Sequence, residues 1–289
     1  MTAALQQVLE STAARLSTFS DSPQLEAQVL LAHVLDKPRT WVMAHFDSSP
    51  DPEGIAILEP LIRRLEQGEP LPYVLGHQEF FGLDFDIPPD VLIPRPETEL
   101  LVERAVGWLQ AAPERRTVAD IGTGSGCIAV ALAVNVPGVR VLGTDISSAA
   151  LKVALRNARK LHVAEQIDLV QCDILPQHIP GLSTDHHFDL VCANLPYIPT
   201  GTLRGLPVYG REPTLALDGG PDGLDPFRKL FGLVFDWMAP GGRMFLEIEA
   251  TRGSAVLSLA YDAFIAASIH LHRDLAGHDR LLEIQFPHP

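Results

Sequence analysis

The 289-residue chain has no run of eighteen or more consecutive apolar residues, so no membrane span is expected. Its first ten residues, "MTAALQQVLE", lack the basic and apolar regions of a secretory leader, and no signal peptide is expected. Cysteine is scarce. Cys127, Cys172 and Cys192 form no C-x-x-C pair and sit in apolar, strand-like contexts, which reads as buried free thiols. A soluble cytoplasmic protein follows as the expectation. Positive charge is the minority: 22 Lys and Arg stand against 36 Asp and Glu, a net charge of −14. A general duplex binder carries a basic face, so no direct nucleic-acid binding is expected beyond a local patch. The eleven histidines are scattered. Their one cluster, Asp185-His186-His187, has no neighbouring Cys or His to complete a tetrahedral set, so it reads as a loop and no metal is expected.

What is present divides the chain into regions. Residues 1–72 read as a small helical domain. Leu5, Val8, Leu9 and Leu16 share one helical face. Ser22 before Pro23, and Asp51 before Pro52, mark two helix starts. Ile55, Leu58, Ile62 and Leu65 form an apolar stripe that Pro60 should bend or shift. Residues 73–95 read as a hairpin linker turning about Gly82. Residues 96–289 open with a helix and then alternate strands and helices, ending in an antiparallel pair joined through Gly277. That pattern predicts an α/β domain with a mostly parallel sheet and helices on both faces.

The candidate site lies at consecutive strand ends. "DIGTGSG" sets Gly122, Gly124 and Gly126 between a strand and a helix, where glycine permits positive φ and close backbone approach by a ligand. Tight strand-to-helix packing is the other explanation of such a turn. The next strand ends at Asp145, placed to accept ribose hydroxyls. The third ends at Asp173, placed to accept an exocyclic amine, with Ile174 beside it to pack on a base. Either aspartate alone would read as a helix cap. The fourth strand runs into "NLPY", with Asn194, Leu195, Pro196 and Tyr197. In an open parallel sheet all these endings face one crevice.

These residues resemble a class I methyltransferase that uses S-adenosylmethionine, in the branch with a [DN]-P-P-Y signature. More closely, the chain resembles the release factor glutamine methyltransferase family (PrmC/HemK). "RRLEQGEPLPYVLGHQEFFGLDF", "VLIPRPETELLVERA", "EPTLALDGGPDGL" and "DLAGHDR" are similar to family blocks, in order along nearly the whole chain. The resemblance implies a Rossmann-like sheet with an antiparallel C-terminal strand and a helical N-terminal domain that recognises the substrate. It implies S-adenosylmethionine held by Gly122, Thr123, Gly124, Ser125, Gly126, Asp145, Asp173, Ile174 and Asn194. It implies a substrate amide gripped by the Asn194 side-chain oxygen and the Leu195 carbonyl, with Pro196 stiffening the loop and Tyr197 packing on the amide. The partner so implied is a peptide chain release factor, methylated on the glutamine of its Gly-Gly-Gln motif; a monomer is the expectation, though the sequence itself does not set the oligomeric state. The alternatives are an adenine-amino DNA or RNA methyltransferase and a non-catalytic cofactor-binding module. Three positions depart from the family pattern: Leu195 for a usual proline, Glu249 for a common glycine, and Ile174 for an aromatic or leucine. Arg95 and Glu97 either line the mouth of the site or form a helix-start bridge or cap. Glu212 and Pro213 are placed to close over a substrate.

Overall fold

The computed structural model describes residues 4–176 and 187–288. Two compact units make up the chain, Met1–His77 and Gln78–Pro289.

The first unit is helical: α1 (Leu5–Leu16), α2 (Pro23–Leu35), α3 (Arg39–Ala44), α4 (Pro52–Ala56), α5 (Leu58–Glu66) and α6 (Leu71–Leu75). Leu5, Leu9, Leu16, Leu30, Leu31, Leu58, Ile62 and Leu65 form its core. Val8 and Ile55 pack at its margin. Pro60 acts by shifting a boundary. The helix breaks at Ile57 and restarts at Leu58, so the missing N–H of Pro60 falls in the first turn, where no intrahelical bond is lost. Asp51 caps α4 by accepting from the Glu53 N–H at 3.3 Å. Ser22 occupies the matching position before α2, but its side chain makes no cap bond; Pro23 sets the start there.

A hairpin of β1 (His77–Phe80) and β2 (Leu83–Asp86) turns on Phe81 and Gly82, both at positive φ. After it come α7 (Thr98–Ala111), β3 (Thr117–Ile121), α8 (Cys127–Asn135), β4 (Arg140–Asp145), α9 (Ser148–Lys160), β5 (Ile167–Gln171) and β6 (Phe188–Ala193). The chain continues through α10 (Thr200–Leu203), α11 (Asp225–Val234), β7 (Met238–Glu247), α12 (Gly253–Ala263), β8 (Ser268–Arg273) and β9 (Asp279–Gln285). The seven-stranded sheet has the order β5-β4-β3-β6-β7-β9-β8. Pairs from β5 to β7 are parallel, and β9 runs antiparallel to both β7 and β8. In β3, Val118, Ala119, Asp120 and Ile121 are all buried, as a central strand covered on both faces requires. One face packs Ile121, Ala193 and Leu246 against Phe227, Leu230 and Val256 of α11 and α12. The other meets α7, α8 and α9.

One boundary differs from the sequence expectation. Pro240-Gly241-Gly242 is not a turn before the fifth strand but lies inside β7, where the β6–β7 register shifts. Gly241 sits at φ +68, so the ladder absorbs the irregularity as a bulge. The cysteines also differ in part. All three are free, yet only Cys192 is buried; Cys127 and Cys172 are half-buried. Asp185 and His186 lie outside the described residues. Among the described residues no cluster suits a metal ion, and no helix is long and apolar enough to cross a membrane.

Candidate active site

Strand order reverses at β3: β4 and β5 lie on one side of it, β6 and β7 on the other. Chain segments leaving β3 and β6 therefore diverge and leave a crevice at their carboxyl ends. A cavity of about 380 Å³ opens there. Gly122, Gly124, Asp145, Asp173, Ile174, Asn194, Leu195 and Pro196 line it. Thr123, Ser125, Gly126 and Tyr197 do not.

The glycine turn shows why each glycine is there. Gly122 and Gly124 are at φ +73 and +55, and a Cβ on either would meet nothing closer than 3.5 Å. Backbone conformation and an open wall are what they supply. Gly126, at φ +81, is different: a Cβ would lie 3.1 Å from both Cα and Cβ of Ala154, so this glycine lets the turn close on α9. Thr123 and Ser125 are buried supports. The Thr123 N–H donates to the Thr144 carbonyl, and its hydroxyl donates to Asp120 at 2.6 Å. Asn157 of α9 fastens the other side. Its amide donates to the carbonyls of Ser125 and Asp86 and accepts from the Asp86 N–H, tying turn, helix and hairpin together.

Three carboxylates surround this turn in different environments. Asp145 accepts from the N–H groups of Gly124 (2.9 Å) and Ser147 (2.8 Å). Burial raises its pKa, and those N–H groups oppose the rise. Asp120 is wholly buried, and one of its oxygens has no hydrogen-bond partner. Burial pushes its carboxyl up to about 7 against the bonds from Thr123 and the Ala129 N–H. Asp173 is exposed and ion-paired with Lys229 of α11, which also lines the cavity. Ile174 beside it takes φ +70, an outlier for a β-branched residue. Its carbonyl accepts from the Thr144 hydroxyl at 2.7 Å, which holds the strained turn.

The loop after β6 is fixed from both sides. Leu195 is buried with Ile121, Ala193 and Leu246 in the core, which gives a side chain at this position a place to go. Pro196 and Tyr197 run against the later loop. A Cβ on Gly219 would lie 2.9 Å from the Pro196 carbonyl, and one on Gly223 would strike that of Tyr197. Both positions therefore require glycine. The Ile198 N–H donates to the Leu217 carbonyl and the Gly219 N–H to the Ile198 carbonyl, and Asp218 accepts from the Thr200 hydroxyl and the Gly220 N–H. Tyr197 packs against the core, and burial raises its pKa, with the neighbouring Glu247 adding to the rise.

Several participants were not picked out in the sequence. Asp90, Val91 and Leu92 form one wall, with Leu215 and Ala216 among the other lining residues; Pro213, which the sequence did single out, lines the cavity beside them. Glu212 joins these segments: it accepts from the Ile93 N–H at 3.1 Å and from Arg95 at 2.5 Å. Arg95 is thus a bridge residue. Glu97 stands at the start of α7 without a cap bond, and neither residue lines the cavity. Glu249 accepts from the Thr251 N–H and hydroxyl and so stabilises the turn after β7. Glu247, two residues earlier, accepts from Thr98 at 2.5 Å, and Thr98 accepts from the Asn194 amide at 3.1 Å. Its one signal in the sequence was an acidic residue closing an apolar strand.

Comparison with known proteins gives this geometry a family. Residues 7–76 match the PrmC N-terminal domain, and residues 118–206 match a methyltransferase domain. The chain is 44% identical over 278 residues to a release factor glutamine methyltransferase of Moorella thermoacetica, covering 96% of each chain. It belongs to the release factor glutamine methyltransferase family. Another such methyltransferase, from Geobacter sulfurreducens, is 40% identical over 241 residues, which is 83% of this chain and 81% of the relative. Among solved structures, a T. thermophilus 16S rRNA methyltransferase in complex with AdoMet and guanosine superimposes with a TM-score of 0.53 at 18% identity. The match covers 73% of this chain and 49% of that one and shows a shared fold. Leu195, where the sequence resemblance leads one to expect a proline, is accommodated by burial of its side chain.

Proposed function

We propose that the protein transfers a methyl group from S-adenosylmethionine to the side-chain amide of the glutamine in the Gly-Gly-Gln motif of peptide chain release factors. The observation that carries this reading is the Asn194 amide, bonded through its nitrogen to Thr98, at the rim of a glycine-walled cavity. Family membership supplies the substrate class.

The cavity fits the cofactor. Its volume lies within the usual range for small-molecule sites, about 300–1,000 Å³. Gly122 and Gly124 offer a wall without side chains, and Asp145 keeps lone pairs free beyond its two backbone bonds. Asp145 would accept the ribose hydroxyls, Asp173 the adenine amine, and Ile174 would pack on the base. The cofactor supplies an electrophilic methyl group on a positively charged sulfur.

An amide nitrogen is a weak nucleophile because its lone pair is delocalised. This chain's residues address that by orientation. With its nitrogen donating to Thr98, Asn194 leaves its side-chain oxygen as an acceptor. That oxygen and the Leu195 carbonyl would take the two N–H donors of the substrate amide and aim its nitrogen at the methyl group. Orientation of reactants is worth up to about 7–11 kcal/mol in favourable cases. The loop holding both acceptors is clamped by Gly219 and Gly223. Pro196 limits its freedom further. The helical N-terminal unit would recognise the release factor, and the enzyme would act as a cytoplasmic monomer.

The test is methyl transfer from labelled S-adenosylmethionine to purified release factors, to their Gln→Ala variants at the tripeptide, and to DNA and RNA. Label on the factor that disappears in the Gln→Ala variant is the expected result. Label on nucleic acid alone would overturn it and make an adenine-amino methyltransferase the working model.

A further inference from the structure

Asn194 can grip an amide only if its own amide is the right way round. Turned by 180°, it would present N–H donors to the N–H donors of the substrate. Nothing in the residue itself distinguishes the two faces; its partners must. The register pairs Ala193 of β6 with Leu246 of β7, so Asn194 leaves its strand level with Glu247. Thr98, the first residue of α7 and 1% exposed, stands between them. Its hydroxyl donates to Glu247 Oε2 at 2.5 Å and accepts from Asn194 Nδ2 at 3.1 Å.

We propose that Thr98 and Glu247 are positioning residues that set the polarity of this chain and so hold the Asn194 side-chain oxygen toward the substrate. The inference rests on the reading of Asn194 as the residue that grips the substrate amide. Its logic follows from donor and acceptor inventory. An ionised carboxylate only accepts, so the single Thr98 hydrogen must point at Glu247. The Thr98 oxygen is then an acceptor, and only the nitrogen of Asn194 can serve it. A protonated Glu247 lifts the constraint: its hydroxyl can donate to Thr98, whose hydrogen then turns to Asn194 and prefers the oxygen. Both polarities become available and the amide loses its bias.

Glu247 is 1% exposed. Burial, with Glu97 adding to it, holds its carboxyl up at about 7, against the bond from Thr98 and the charges of Arg280 and Arg95. Tyr197 and Cys127 are further titratable neighbours; burial raises both, and both stay protonated throughout this range. The polarity of the chain therefore changes within the ordinary working range of pH, and activity should rise as Glu247 ionises.

The experiment uses the full chain with a release factor as substrate and compares wild type with Thr98→Val, Thr98→Ser and Glu247→Gln. Thr98→Val keeps the shape and removes the hydroxyl; Glu247→Gln keeps the shape and removes the charge. Both should lower kcat by up to about a hundredfold, the scale of misplacing a reacting group through a residue that does not touch it. The calorimetric Kd for S-adenosylmethionine should stay within about twofold, which also reports folding, while Thr98→Ser should keep most of kcat because it restores the hydroxyl. The wild-type kcat should climb through a limb near pH 7 that Glu247→Gln lacks. Wild-type kcat in both Thr98→Val and Glu247→Gln, or an unchanged limb in Glu247→Gln, would overturn the proposal. A wild type that labels no release factor would count against the substrate reading instead. The relay is then read by NMR, from solvent exchange of the Asn194 side-chain amide protons, assigned by their loss in Asn194→Asp. Exchange that accelerates about tenfold in Thr98→Val, as loss of one buried bond implies, supports the relay, and unchanged exchange overturns it.

Discussion

Two buried carboxyls should make the second unit less stable as pH rises through neutrality. Asp120 and Glu247 hold their protons up to about 7, against ordinary values of 3.8 and 4.5. Below the ordinary values both are protonated in the folded and the unfolded chain, and their full contribution to stability is present. As pH rises, the unfolded chain gains by ionising while the folded chain cannot follow. Stability therefore falls until pH passes 7 and the folded groups ionise as well. Over the whole range this amounts to about 4 kcal/mol for Asp120 and about 3 kcal/mol for Glu247. Between about pH 5 and about pH 8 the combined loss is about 5 kcal/mol, shared nearly equally. Asp145, also raised by burial, acts in the same direction. Asp218, Asp222 and Asp274 are lowered by hydrogen bonds and oppose it only at the acid end. Urea unfolding followed by tryptophan fluorescence in a Trp41→Phe background isolates the second unit, because Trp108 and Trp237 both belong to it. Asp120→Asn should remove about half of the pH dependence. A free energy that is flat or rises over this range, or a slope unchanged in Asp120→Asn, would refute the reasoning.

Two further outcomes follow from the site. Gly126→Ala should lower the stability of the second unit by about 2 kcal/mol, from the left-handed backbone and the 3.1 Å approach to Ala154. A melting temperature equal to wild type would show that α9 yields without cost. Lys229→Ala should tighten S-adenosylmethionine binding by up to about fivefold, because it frees Asp173 from an exposed ion pair worth about 1 kcal/mol at most. Calorimetry that found weaker binding would instead make Lys229 a contributor to the cofactor site.

Local pattern was enough for the elements and for their chemistry at the strand ends. Apolar runs of strand length, each followed by a glycine turn, an aspartate or an asparagine, specify a parallel sheet whose endings share one edge. That is why Gly122, Asp145, Asp173 and Asn194 were legible and why all four line one cavity. The same local rules located the hairpin at Gly82 and the helix starts at Pro23 and Pro52. They could not separate the glycines that line the cavity from Gly126, which faces a helix. That distinction depends on how closely α9 approaches.

What only the tertiary structure decided is which side chains meet across long separations. Thr98 and Glu247 are 149 residues apart, Ile93 and Glu212 are 119 apart, and Asp173 and Lys229 are 56 apart. Periodicity within a strand or helix fixes which face a residue occupies, but it carries no information on the neighbour that face will meet. Strand order and register supply that information. They bring the end of β7 beside the end of β6, with α7 packed against both. Burial follows from the same packing, and burial moves a carboxyl such as Glu247 from an ordinary surface acid to a group that ionises near neutrality. The sequence by itself determined that an amide stands at the edge of a cofactor-binding sheet; the packing of three distant segments decided which way that amide points.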